Sequence, residues 1–260
     1  MSRKPYYTTN IAVSNWYSEP DYKAAVITQS LLGETATVLE ERGNWFYCEG
    51  QDHYCGWVPR SHGALRDHPW KSDFMVDQPE GNILSPVDGH ILRRVVWGSR
   101  LQEEPDSPTV ILPDDQEGSY TGSRERSRLS CTRNHLVATA GLFLGVPYVW
   151  GGRSIWGMDC SGLTQTVFSR CGVELPRDAR LQFPLVEPYR IAPQQAQPGD
   201  LYFFATGESI THVGIAAGDG LIIHARDYVK RERLVDNDSL KKTLVGCYSV
   251  ESWIERESPA

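Results

Sequence analysis

The sequence predicts an α+β chain in which one or two small β-barrels precede a domain of helices packed on an antiparallel sheet. Three observations carry this. Short β-branched runs broken by turn residues fill Ile11 to Leu65. Helix-spaced apolar residues first appear from Asn134 onward. Three strand-like runs follow the helices, at Gly199–Phe204, Thr211–Ala216 and Leu221–Ala225.

In the first segment, Ala24–Gln29 and Ala36–Glu40 carry β-branched residues in near alternation, the period of a half-buried strand. Gly33-Glu34, Arg42-Gly43-Asn44 and Glu49-Gly50-Gln51-Asp52 punctuate them as turns. The pieces Ser18-Glu19-Pro20, Leu31-Leu32-Gly33-Glu34, Val38-Leu39-Glu40-Glu41, Gly43-Asn44-Trp45 and Gly56-Trp57-Val58 together resemble bacterial SH3 domains. This sets a first domain at residues 1–68. Residues 69–123 repeat the short-strand texture at Gly89–Trp97 and Thr109–Leu112, which suggests a second SH3-like β domain. Ser119 to Arg128, almost without apolar residues, reads as a linker.

The third domain spans residues 124–260. Leu136, Val137, Ala140 and Phe143 cluster as on a helix that stops near Gly145 and Pro147. Leu163, Val167 and Phe168 mark a second helix, which starts where the Gly-rich loop Trp150-Gly151-Gly152 … Gly157 ends.

Composition excludes several classes. A net charge of −7, with acidic and basic residues interspersed and no long basic run, argues against nucleic acid or an anionic membrane as the main partner. No stretch reaches the ~20 apolar residues of a membrane span. No apolar core follows the basic start Arg3-Lys4, so the sequence predicts a cytoplasmic protein. The six cysteines form no C-x-x-C pair and have no His-rich neighbour, which argues against zinc; no motif implies a metal or organic cofactor. Reduced, packed thiols are expected for Cys131, Cys171 and Cys247.

Cys160 is the exception. It sits at a helix start, where unpaired N–H groups favour a thiolate. Taken alone, such a cysteine is more often a small buried hydrophobe. A nucleophilic thiol needs a base and the base needs an orienting partner. His212 and His224 lie on consecutive strands, and a hairpin across Ala217-Gly218-Asp219-Gly220 makes them neighbours.

Five stretches then occur in order: Tyr148-Val149-Trp150-Gly151-Gly152 with Asp159-Cys160-Ser161-Gly162-Leu163, Leu175-Pro176-Arg177-Asp178, Pro198-Gly199-Asp200-Leu201, Thr211-His212-Val213-Gly214-Ile215 and Ile222-Ile223-His224-Ala225. This run resembles the NlpC-type papain-like cysteine peptidases. The resemblance implies a papain-like fold, Cys160 as nucleophile, His212 as base, His224 as its orienting partner, and the Tyr148 hydroxyl with the Cys160 N–H as oxyanion donors. It assigns Asp159, Ser161, Arg177, Asp178 and Trp150 to substrate, Trp150 being open equally to core packing. Ala179 stands where the family often has serine. Glu19 and Tyr54 of the barrel resemble the residues that reach a substrate amine.

The implied substrates are murein stem peptides, L-Ala-γ-D-Glu-diaminopimelate or -lysine with a free N-terminal L-Ala. Cleavage after γ-D-glutamate would release L-Ala-γ-D-Glu for cell-wall recycling. Two alternatives stay open: an exported endopeptidase or toxin acting on intact wall, and a non-catalytic peptidoglycan-binding module.

Overall fold

The computed structural model describes residues 5–104, 107–126 and 132–257. The chain divides into two compact units, Met1–Ser127 and Arg128–Ala260.

The first unit holds two seven-stranded antiparallel sheets. In the first, strands Val26–Leu31 and Thr35–Arg42 extend the runs expected from β-branched alternation. Their alternate residues bury Ala36 and Val38 against Tyr7, Trp16, Phe46 and Val58. The connection between them turns at Gly33, where φ is +82° and a Cβ would stand 1.9 Å from the carbonyl oxygen of Arg100. Only glycine permits both the backbone angle and that approach.

The second sheet runs from Phe74–Val76 to Arg124–Glu125 around Ile83, Val95, Leu101, Val110 and Tyr120. The expected linker therefore begins later than its composition implied. Arg124 and Glu125 pair with Val76 and Met75 as an edge strand, and Arg124 lies 5.1 Å over the Phe74 ring. A polar edge strand buries too little apolar surface to leave a hydropathy signal, and its charges protect the open edge. Residues 127 and 128 of that stretch lie outside the described residues.

The second unit begins with helix α1 (Arg133–Gly141), capped by the Thr132 hydroxyl on the His135 N–H. Helix α2 (Cys160–Ser169) is buried along its length. Helix α3 (Ala179–Val186) follows, with Pro184 in its last turn; that proline hid it from the sequence reading. These helices precede a six-stranded antiparallel sheet whose central strands are Leu201–Thr206, Ser209–Gly218 and Leu221–Arg226. Two flanking strands, Tyr228–Arg233 and Leu244–Tyr248, went unforeseen. The first alternates Lys230, Glu232 and Val229, Arg231, so charge masks its strand period. Helix α4 (Asp238–Thr243) covers one face of the sheet, where Leu240 packs with Tyr202, Phe204 and Ile222.

Among the described residues, Cys48, Cys55, Cys160 and Cys247 are free thiols, and Cys48, Cys160 and Cys247 are buried. Cys171, expected to be a packed thiol, is disulfide-bonded. It lies just beyond α2, at the Gly172 turn, buried but at the end of its element rather than inside it. Cys131 lies outside the described residues.

Candidate active site

The seat of the nucleophile is built from close contacts that only glycine allows. A Cβ on Gly162 would lie 2.2 Å from the Gly152 carbonyl oxygen, and one on Gly152 would lie 2.4 Å from that of Gly157. The Gly-rich loop therefore lies directly against the first turn of α2. Asp159 is the N-cap: its Oδ1 accepts from the Gly162 N–H at 2.7 Å and its Oδ2 from the Gly151 N–H at 2.8 Å. Arg177 grips the same carboxylate with both terminal nitrogens, at 3.0 and 2.6 Å, and donates to the Ser161 hydroxyl at 3.1 Å.

The structure joins Asp159, Ser161 and Arg177, which the resemblance assigned to substrate, in one buried hydrogen-bonded network. All three are buried, Arg177 being 1% exposed, and their charges and hydroxyl are engaged with one another and the loop. A buried ion pair with these hydrogen bonds positions the backbone that carries Cys160. Asp178 is partly exposed beside Arg180, at 3.0 Å, just before α3. Trp150 is 69% exposed, which removes the core-packing reading and leaves its indole facing solvent.

Cys160 is buried. Burial, with the Asp159 carboxylate next, pushes its thiol up to about 11, against the N–H groups of Val213 and Ser161 that favour the thiolate. At neutral pH the resting sulfur is a thiol and must give up its proton to a base. Val213 directly follows His212, so the strand that carries His212 also touches Cys160.

The hairpin forms as expected, closing on Asp219 and Gly220 with φ of 53° and 72°. Such a two-residue turn with both angles positive matches the strand twist. It brings His212 Nε2 to 2.8 Å from His224 Nδ1. Gly214 makes this possible, because a Cβ there would lie 2.9 Å from the His224 Cβ. Burial, reinforced by His224, Arg226 and Lys230, pushes His212 down to about 3. Burial also lowers His224. Both imidazoles are thus neutral near pH 7, the state a proton acceptor requires.

Tyr148 is half-buried, with its N–H donating to the Asp227 carbonyl at 2.9 Å. Burial and the neighbouring Cys160 and Asp159 push its phenol up, so it keeps its proton and remains a donor. A cavity of about 500 Å³ opens beside His212, lined also by Tyr148, Phe204, Thr211, Arg226 and Asp227. Glu19 is exposed at a turn, and Tyr54 is half-buried ahead of the strand Cys55–Pro59; both belong to the first unit.

One participant escaped the sequence reading. Glu232, on the strand Tyr228–Arg233, accepts from His224 Nε2 at 2.8 Å and from Asn237 Nδ2 at 2.9 Å. A lone glutamate on a charged strand carries no motif; only the pairing of Ile222 with Glu232 across the sheet places it.

Residues 145–248 match the NlpC/P60 family, and residues 16–62 match the bacterial dipeptidyl-peptidase SH3 domain. A gamma-D-glutamyl-L-lysine dipeptidyl-peptidase of Bacillus cereus is 30% identical over 76% of this chain and 66% of its own length. Dipeptidyl-peptidase 6 of Lysinibacillus sphaericus is 29% identical over 82% of this chain and 84% of its own. The fold matches a crystal structure of an NlpC/P60 family protein from Bacillus cereus, with a TM-score of 0.83, 23% identity, and coverage of 94% of this chain and 99% of that one. With its buried Cys160 beside a strand-borne histidine pair and its SH3 domain ahead, this chain belongs to the NlpC/P60 family of cysteine peptidases.

Proposed function

We propose that the protein hydrolyses the bond between γ-D-glutamate and the diamino acid of murein stem peptides, releasing L-Ala-γ-D-Glu. The observation that carries the reading is the buried thiol of Cys160 against the N–H of Val213, the residue after His212, whose neutral imidazole is hydrogen-bonded to that of His224. The SH3 match at residues 16–62 and the names of the two relatives support the dipeptide-releasing specificity.

The chemistry follows from the donors and acceptors in place. His212, with Nε2 engaged by His224, offers Nδ1 to the thiol. As the sulfur attacks the peptide carbonyl, Nδ1 takes the thiol proton. The developing oxyanion is met by the Cys160 N–H and the Tyr148 hydroxyl. The tetrahedral intermediate collapses, His212 returns its proton to the departing amine, and a thioester remains. Water, deprotonated by His212, then cleaves the thioester and frees Cys160. The departing amine is protonated from His212, so the cavity beside that residue suits the diamino acid.

Incubating the protein with L-Ala-γ-D-Glu-diaminopimelate and with the lysine peptide should release L-Ala-γ-D-Glu, and Cys160→Ala should abolish it. Acetylating the alanine amine should stop cleavage if a free N-terminus is required. Equal turnover of acetylated and free peptides would overturn that requirement.

The setting has two readings. Recycling in the cytoplasm is the one the sequence suggested. The disulfide at Cys171 favours the second, an exported endopeptidase on the wall, because disulfides persist in oxidising compartments. Fractionating the producing cells separates them: activity confined to the cytosol, with Cys171 reduced, would overturn the exported reading.

A further inference from the structure

The triad of Cys160, His212 and His224 leaves one question of proton placement. Each neutral imidazole has two tautomers, and only one arrangement presents a bare Nδ1 of His212 to the thiol. The hydrogen bonds between the rings do not settle which, because either nitrogen of the pair at 2.8 Å can donate.

We propose that Glu232 is the positioning residue that fixes this arrangement, with Asn237 holding it in place; the inference rests on the cysteine-peptidase reading of the site. An ionised carboxylate has no proton to give, so His224 Nε2, at 2.8 Å from Glu232 Oε1, must be the donor. Neutral His224 then has a bare Nδ1, which can only accept. His212 Nε2 therefore donates to it, and His212 Nδ1 is left bare as the base. One carboxylate thus orders the protons of both rings.

The carboxylate is itself ordered. The same Oε1 accepts from Asn237 Nδ2 at 2.9 Å, while Asn237 Oδ1 accepts from the Leu240 N–H at 3.1 Å as the N-cap of α4. Asn237 is thus locked with its amide N–H₂ toward the glutamate, and Glu232 Oε1 is held toward His224. His224 is completely buried, so no water competes for its Nε2. The charged groups facing this pair are Lys230 and Arg226, both cationic; Lys230, with the hydrogen bonds from Asn237 and His224, favours the ionised Glu232 against its burial. As His212 takes the thiol proton, the Glu232 anion also stabilises the charge that forms on the paired rings.

The test compares full-length wild type with Glu232→Ala, Glu232→Gln and Asn237→Ala. Its first readout is the rate at which iodoacetamide alkylates Cys160, followed by mass spectrometry of the Cys160 peptide. This reaction forms a thioether, releases iodide, and needs no murein substrate. Glu232→Ala should slow alkylation and lower kcat by at least about 10-fold with KM little changed. Glu232→Gln keeps an acceptor oxygen, held in place by Asn237, and should recover most of that loss. Because it removes a negative charge, both limbs of its pH profile should move toward acid. Asn237→Ala should fall between them.

Equal alkylation rates and superimposable pH profiles in wild type and Glu232→Ala would overturn the inference. So would a Gln variant as slow as the Ala variant, or a fall in thermal stability that accounts for the whole loss. If alkylation depends on Glu232 but no murein peptide is cleaved, the substrate assignment fails and the positioning role stands.

Discussion

In the proposed mechanism Cys160, His212 and Tyr148 divide the work through their protonation. Burial raises the thiol and lowers the imidazole, so the resting pair is uncharged and proton transfer is coupled to attack. Tyr148→Phe removes a hydroxyl donor while keeping the ring, and kcat should fall about 100-fold with KM nearly unchanged. Steady-state kinetics on the tripeptide checks this, and an unaltered kcat would remove Tyr148 from the oxyanion site. Cys160 and both histidines were legible as candidates because a family-like motif surrounds each of them. The ion pair of Asp159 with Arg177 was not legible, because two residues 18 positions apart reveal their pairing only once the chain is folded. Removing Arg177 should therefore act on stability: Arg177→Ala leaves the Asp159 carboxylate buried and unpaired, costing roughly 3–5 kcal/mol. Denaturant unfolding would measure it.

At the scale of elements, the hairpin Ser209–Gly218 with Leu221–Arg226 packs against helix α2, which follows the Gly-rich loop. Their glycines are where the backbone must pass close. Gly214→Ala would set a methyl 2.6 Å from Ile222 Cδ1 and 2.9 Å from His224 Cβ, parting the two histidine-bearing strands. A shift of that size should lower kcat by up to about 100-fold, with the protein still folded by circular dichroism. Apolar strands and helices were readable from their periods. Tyr228–Arg233, Arg124–Glu125 and α3 were not, since charge or an internal proline interrupted the pattern. The first of these omissions also concealed Glu232.

The whole molecule carries its candidate nucleophile, base and positioning groups in residues 128–260. Protonation of that unit links to its folding. Burial holds His212 down at about 3 against an ordinary value of 6.5. Between those pH values the unfolded chain binds a proton that the folded site refuses, so stability rises with pH across this window and falls on acidification. His224 is shifted in the same direction and should add to the effect. Melting temperatures from pH 7 to pH 4 should decline, and less steeply in His212→Gln. The neutral resting thiol has a further consequence. Peroxides attack thiolates, not thiols, and a sulfur held protonated and shut away from solvent resists conversion to sulfenic acid. A chain that bears a disulfide at Cys171 can therefore keep a reduced nucleophile at Cys160 under the same oxidants, and its inactivation by hydrogen peroxide should accelerate only as the pH is raised.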